Sequence, residues 1–185
     1  EKGDHFIICH WKSPDDLLHN FGLESEQVTA FLADSDRLLA KYVPHFEDSS
    51  LVITADHGMQ QIENHFRLDQ IEPLNELLAH YPSGDPRAKA IAVLPGKQDL
   101  FANRLKQETG DEFLLVPAEE VIQKGFLGDG PVHPRIADFL GDFLVIGQSH
   151  SDLLYTSPGG RPPKLFKGHH AGLTTDEMLV PLIMY

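Results

Sequence analysis

Leu51-Val52-Ile53-Thr54-Ala55-Asp56-His57-Gly58-Met59 joins a short apolar, β-branched run to an Asp-His-Gly turn. The run from Leu51 to Ala55 reads as a buried strand. A carboxylate and an imidazole directly at a strand's carboxyl end can both turn into one crevice, and Gly58 lets the backbone bend away without a side chain in the path. Aspartate oxygen plus histidine nitrogen is a fit ligand set for zinc or a similar divalent ion. Asp-His-Gly tripeptides are common by chance, so a metal-free loop competes with that reading until other residues join it.

Working outward from this stretch, Phe6 to Trp11 (FIICHW) reads as a first buried strand, bounded by Gly3-Asp4 and Ser13-Pro14. Between the two strands, Val28, Phe31, Leu32, Leu38, Leu39 and Tyr42 fall at helical spacing, with Ser25 as N-cap and Pro44 as a stop. Strand, helix, strand with apolar strands predicts an α/β fold, a mainly parallel sheet with helices on both faces. Further strands are expected at Ala90 to Leu94, Phe113 to Val116, Phe143 to Ile146 and Val180 to Met184, where Pro181 suits an edge or a strand start. Helices are expected near Gln70 to His80 and Lys97 to Glu108, with Gly110 as a stop. The stretches Gly125 to Arg135 and Ser157 to Gly172 are rich in Gly, Pro and His and read as long loops, where α/β enzymes place their chemistry.

Two further pieces carry candidate ligands. Asp15 and His19 stand four positions apart, on one face if the segment turns helically. Asp16 competes with Asp15, and an Asp N-capping a short helix explains the pair equally well. Gly168-His169-His170-Ala171-Gly172-Leu173 offers two histidines among small residues that let the backbone come close to something, although a solvated basic loop explains it as well. Thr174 and Glu177 have the spacing of a capping box that starts a helix just beyond.

Composition narrows the classes. A formal charge of −13 argues against a nucleic-acid-binding surface and against a basic membrane patch. It leaves an anionic substrate open, because two divalent ions would dominate the charge at one spot. The single cysteine, Cys9, excludes an internal disulfide framework and fits a reducing compartment, which slightly favours the cytoplasm. No apolar run approaches the ~20 residues that span a bilayer. No signal peptide is visible. The chain opens with Glu1 and runs almost at once into a strand-like segment, so it reads as joined partway through.

Strand, D-x-x-x-H, helix, strand, T-A-D-H-G-M, a long middle, then H-A-G-L-T-x-x-E-M-L-V-P-L-I: this order resembles the type I phosphodiesterase/nucleotide pyrophosphatase family of the alkaline phosphatase superfamily. The resemblance is direct over roughly the first 60 residues and the last 20, and diffuse between them. It implies that residues 1–185 are the C-terminal part of an alkaline-phosphatase-like catalytic domain whose N-terminal half is missing, with residues 66–160, including Pro86-Arg87-Ala88, as a variable middle section carrying no assigned functional residue. It also implies two divalent metal ions, zinc first among the candidates. Asp15, His19 and His170 would hold one, and Asp56 and His57 the other. His170 is preferred to His169 because it directly precedes the Ala-Gly-Leu that resembles the family's H-G-G-L, with Ala171 in place of the usual Gly.

The nucleophilic Thr or Ser and an upstream Asp ligand have no counterpart here, so no catalytic residue is assigned, and Thr54, Ser149 and Thr174 are the fallback candidates. The implied activity of the complete protein is metal-dependent hydrolysis of phosphodiester or pyrophosphate bonds in a small phosphate ester or nucleotide. The alternatives are a relative that cleaves phosphonates or phosphomonoesters, or a fragment that binds metal and catalyses nothing. The chain alone is expected to be inactive, and its exposed sheet to favour a homo-oligomer. A reading frame extending about 150 or more residues upstream would favour the enzyme.

Overall fold

The computed structural model describes residues 5–128 and 130–185. Gly3 and Asp4, the expected boundary of a first strand, lie outside them, as does Asp129 within the 125–135 loop.

The chain opens with helix α1 (Ser13–Phe21) and helix α2 (Glu26–Tyr42). Ser25 caps α2 by accepting a hydrogen bond from the Val28 N–H at 3.3 Å, and Pro44 sits in the 3-10 turn that ends it. Strands β1 (Val52–Thr54), β2 (Gln60–Gln61) and β3 (Asn64–Arg67) lead to the short helix α3 (Glu72–Asn75). The middle section continues with β4 (Ser83–Asp85), β5 (Ala88–Ile91), α4 (Gln98–Thr109), β6 (Phe113–Pro117), α5 (Ala118–Gln123), α6 (Ile136–Leu140), β7 (Phe143–Gly147) and β8 (Ser151–Leu154). After a long loop come β9 (Gly168–His169), α7 (Thr175–Met178) and β10 (Leu182–Met184).

The main sheet has the order β4-β5-β7-β6, and side-chain alternation along β7 builds a core on each face. Phe143 and Val145 pack with Phe101 and Leu105 of α4 and with Leu74 of α3. Leu144 and Ile146 face the opposite way, toward Val121 of α5 and Leu140 of α6. Gly110, with φ of 62°, ends α4 as expected.

Three expectations need correction. The class is α/β with helices on both faces of the main sheet, yet β3 and β8 form the one parallel strand pair among the described residues. A continuous apolar run such as β7 reports burial on both faces, and an antiparallel sheet sandwiched between helices gives the same pattern. Phe6 to Trp11 is not a strand, and Leu51 to Ala55 supplies only β1, paired antiparallel with β10 alone and half exposed at Val52. No strand lies beside Phe6 to Trp11 among the described residues, and without ladder bonds β propensity does not make a strand. Phe6 and Ile7 are 91% and 79% exposed. The helix expected over Gln70 to His80 shrinks to α3, because the chain leaves it to bridge Leu78 to Val93 in a long-range pairing that local periodicity does not report. Among the described residues no helix is long and apolar enough to cross a membrane.

Candidate metal centre

Helix α1 presents the first two ligand candidates. Its N-cap is Lys12, so Asp15 caps nothing. One turn later His19 Nε2 lies 3.2 Å from Asp15 Oδ1. Asp16 points to solvent toward Lys12 Nζ at 3.5 Å, which separates the two aspartates that sequence alone leaves in competition. The end of α1 is tied down by Gln61 of β2, whose Oε1 accepts the Leu23 N–H at 2.9 Å. The Lys167 N–H donates to the His19 carbonyl at 2.8 Å, joining α1 to the long loop.

The loop after β9 brings His170 to the same carboxylate, with Nε2 at 3.9 Å from Asp15 Oδ1. His169 instead lies buried within β9, its ring edge-on to those of His19 and Phe166. The His19 and His170 rings stand 5.2 Å apart, centre to centre, on the same side of the fold. His57 stacks on His170 at 3.7 Å, and one donor atom each of Asp15, His57 and His170 lie within 4.8 Å of one another. This grouping crosses the expected one, which sets His57 with Asp56. Asp56 stays at the rim, its side chain 82% exposed and 3.7 Å from His57 Nε2. The four inner residues therefore converge, with Asp15 as their common neighbour, but they come from α1 and two loops rather than from the ends of parallel strands.

The donor set fits a divalent cation. His19 Nδ1 lies 2.7 Å from the Gly168 carbonyl oxygen and His57 Nδ1 lies 2.8 Å from that of Gly58. A carbonyl only accepts, so each Nδ1 carries the hydrogen and Nε2 is the ring nitrogen left to ligate. Asp15 Oδ1, facing the rings of His19 and His170, is buried without a hydrogen-bond partner. Acceptors meeting in a buried spot call for a cation among them, and a carbonyl behind the outer ring nitrogen is how ligating histidines are commonly oriented. Burial, then the neighbouring His57 and His19, holds His170 below the usual imidazole range, so it is neutral and able to ligate at neutral pH. Burial, then His19 and His170, pushes His169 down to about 4.

Two residues without an assigned role complete the site. Arg87, in the turn between β4 and β5, is wholly buried and pairs with the carboxylate of Glu177 on α7. Glu177 accepts the Gly172 N–H at 2.8 Å and the Thr174 hydroxyl at 2.7 Å, and it closes the expected capping box by accepting the Thr174 N–H at 3.3 Å. The spacing of Thr174 and Glu177 signals the cap, but no local pattern signals Arg87, whose partner is 90 residues away. The fallback hydroxyls of Thr174 and Ser149 are engaged with Glu177 and Glu112.

Solved structures show the fold. Murine ectonucleotide pyrophosphatase/phosphodiesterase 5 superposes with a TM-score of 0.67 at 18% identity, over 93% of this chain and 45% of its own. The human protein of that name gives 0.64 at 18%, over 95% and 45%. Phosphonoacetate hydrolase from Sinorhizobium meliloti 1021, in complex with phosphonoformate, gives 0.63 at 20%, over 92% and 43%. The fold is thus alkaline-phosphatase-like, and the chain spans less than half the length of these proteins. It belongs to the type I phosphodiesterase/nucleotide pyrophosphatase family, whose sequence profile matches residues 2–170. No curated protein matches the sequence.

Proposed function

We propose that this chain supplies the metal-binding part of a hydrolase that cleaves phosphodiester or pyrophosphate bonds in a small phosphate ester or nucleotide. The observation that carries the reading is the meeting of His19, His57 and His170 around the unpartnered Asp15 Oδ1, in a chain of this family. Asp15, His19 and His170 would hold one divalent ion, with Asp56 and His57 completing a second site together with residues of a preceding half. His57 reaches into both groups. Zinc suits one carboxylate with several imidazoles. Such ions supply Lewis-acid stabilisation of the charge that develops on phosphoryl oxygens.

The chain's own residues orient and neutralise. The Gly168 and Gly58 carbonyls fix the rings of His19 and His57, and burial keeps His170 uncharged and ready to ligate. The nucleophilic hydroxyl is expected from the preceding half. That murine phosphodiesterase 5 has an inactive variant solved with AMP supports a nucleotide substrate. The likeness to phosphonoacetate hydrolase favours a second reading, cleavage of a phosphonate.

The test is an assay of the complete protein with added zinc, on a nitrophenyl phosphodiester and on phosphonoacetate in parallel. Turnover of the diester, lost in His170→Ala and in Asp56→Ala, is the expected result. Turnover of phosphonoacetate alone would select the second reading. Diester cleavage untouched by both substitutions would sink the ligand assignment.

A further inference from the structure

The carboxylate of Glu177 sits at the junction of three parts of the molecule. It accepts the Gly172 N–H, two residues beyond His170, and the Thr174 hydroxyl. The Glu177 backbone carbonyl accepts the Gly58 N–H at 2.7 Å, one residue beyond His57, and the Asp176 carbonyl accepts the Met59 N–H at 2.9 Å. A Cβ on Gly58 would overlap the Asp176 carbonyl oxygen, so this close approach is built into the Asp-His-Gly turn. The third part is Arg87. Its Nε and Nη2 hold Glu177, with Nη2 at 2.7 Å, while Nη1 donates to the carbonyls of Ser151 at 2.6 Å and Ser149 at 2.8 Å. The turn bearing Arg87 is itself fixed, since the Gly147 N–H donates to its carbonyl at 2.9 Å.

A buried ion pair is a poor device for stability alone, because apolar side chains of the same volume often serve as well. What apolar side chains cannot do is receive and offer the hydrogen bonds gathered here. The carboxylate of Glu177 holds the backbone of the loop that presents His170, the backbone carbonyl of the same residue holds the loop that presents His57, and Arg87 ties that carboxylate to the Ser149 and Ser151 carbonyls. We infer that Arg87 and Glu177 form a positioning pair for the metal centre, locking both histidine loops to the rigid main sheet so that the imidazoles are held ready for the ion. The inference rests on the metal-binding reading above.

The experiment is a zinc titration against a competing chelator, with thermal unfolding run on each variant. Glu177→Gln, which keeps the shape and removes the charge, should fold and weaken zinc binding by about tenfold, the low end of the cost of losing an outer partner, because the carboxylate holds a loop's backbone and not a ligand's ring. In a His170→Ala background the same substitution should cost less, because one of the two loops it positions no longer presents a ligand. Arg87→Lys should fall between wild type and Glu177→Gln, since it keeps the charge and loses the fork. Unchanged zinc affinity in folded Glu177→Gln, beside clear weakening in His170→Ala, would overturn the inference and leave the metal reading standing. If Glu177→Gln does not fold, Thr174→Val carries the test, since it removes one bond to the carboxylate and leaves the ion pair. Weaker zinc binding in that variant supports positioning, and wild-type binding overturns it. A wild type that binds no zinc, or binds it equally after His170→Ala, would remove the metal reading first.

Discussion

Ala171 has φ of 88°, the one positive value outside glycine among the described residues, immediately after His170. A Cβ in that region is strained, which accounts for a glycine at this position in the pattern the loop resembles. The strain is tolerated because the next residue, Gly172, is pinned to Glu177. Ala171→Gly should therefore raise stability by about 1 kcal/mol, the relief of φ strain outweighing glycine's extra freedom when unfolded. Chemical denaturation would measure it, and a destabilised variant would show that the loop bears no strain. At this scale the sequence was readable wherever the partners are close along the chain. Asp15 and His19 meet because i and i+4 share a helix face. Arg87 was not readable, since nothing near it in sequence reveals a carboxylate waiting from α7.

Helix α7 is only four residues long, too short to persist on its own propensity, so its anchoring decides its place. Burial alone would raise the Glu177 pKa, but the hydrogen bonds and charge of Arg87, with the Thr174 and Gly172 bonds, leave it below its usual 4.5. A depressed carboxyl contributes stability that is fully present above its unfolded value and is lost as pH falls through its folded value. The gap in urea midpoint between wild type and Glu177→Gln should therefore be full at neutral pH and close as pH drops below about 4.5. A gap independent of pH would mean that the ionised carboxylate is not what holds the helix. The elements that sequence predicted well are those whose signals are local: the cap at Ser25, the stop at Gly110, the apolar runs of β6 and β7. Strand direction was not local, because apolar character records burial on both faces and says nothing about which neighbour lies alongside.

For the molecule as a whole, the recognisable segments and the well-packed segments are different. The motif-bearing ends contribute little to the core, which lies in the middle section around Phe101, Phe143 and Val145. Phe6, Ile7 and Ile8, and Leu182 and Met184 on β10, remain largely exposed. An apolar surface of this kind beside the two-stranded ribbon of β1 and β10 favours association. The isolated chain is accordingly expected to sediment as larger species with rising concentration, to bind at most one zinc tightly, and to turn over no diester even with zinc added. Asp15 with His19 and His170 supports a single four-coordinate site with water, while Asp56, beside His57, stands apart at the rim. Two equally tight zinc ions, or robust turnover by the chain alone, would contradict this ligand set and reopen the question of the nucleophile.

β3 and β8 run parallel, with Asn64 beside Ser151 and Arg67 beside Leu154, so the chain leaves β3 at one end of the pair and enters β8 at the other. The middle section is therefore a crossover between two neighbouring strands. A shorter or longer crossover could be exchanged there provided that it still spans the length of the pair, since loop length is otherwise a weak thermodynamic constraint. One obligation would travel with any exchange. The replacement must deliver a cation where Arg87 now stands, or Glu177 is left as a lone buried carboxylate between the two histidine loops.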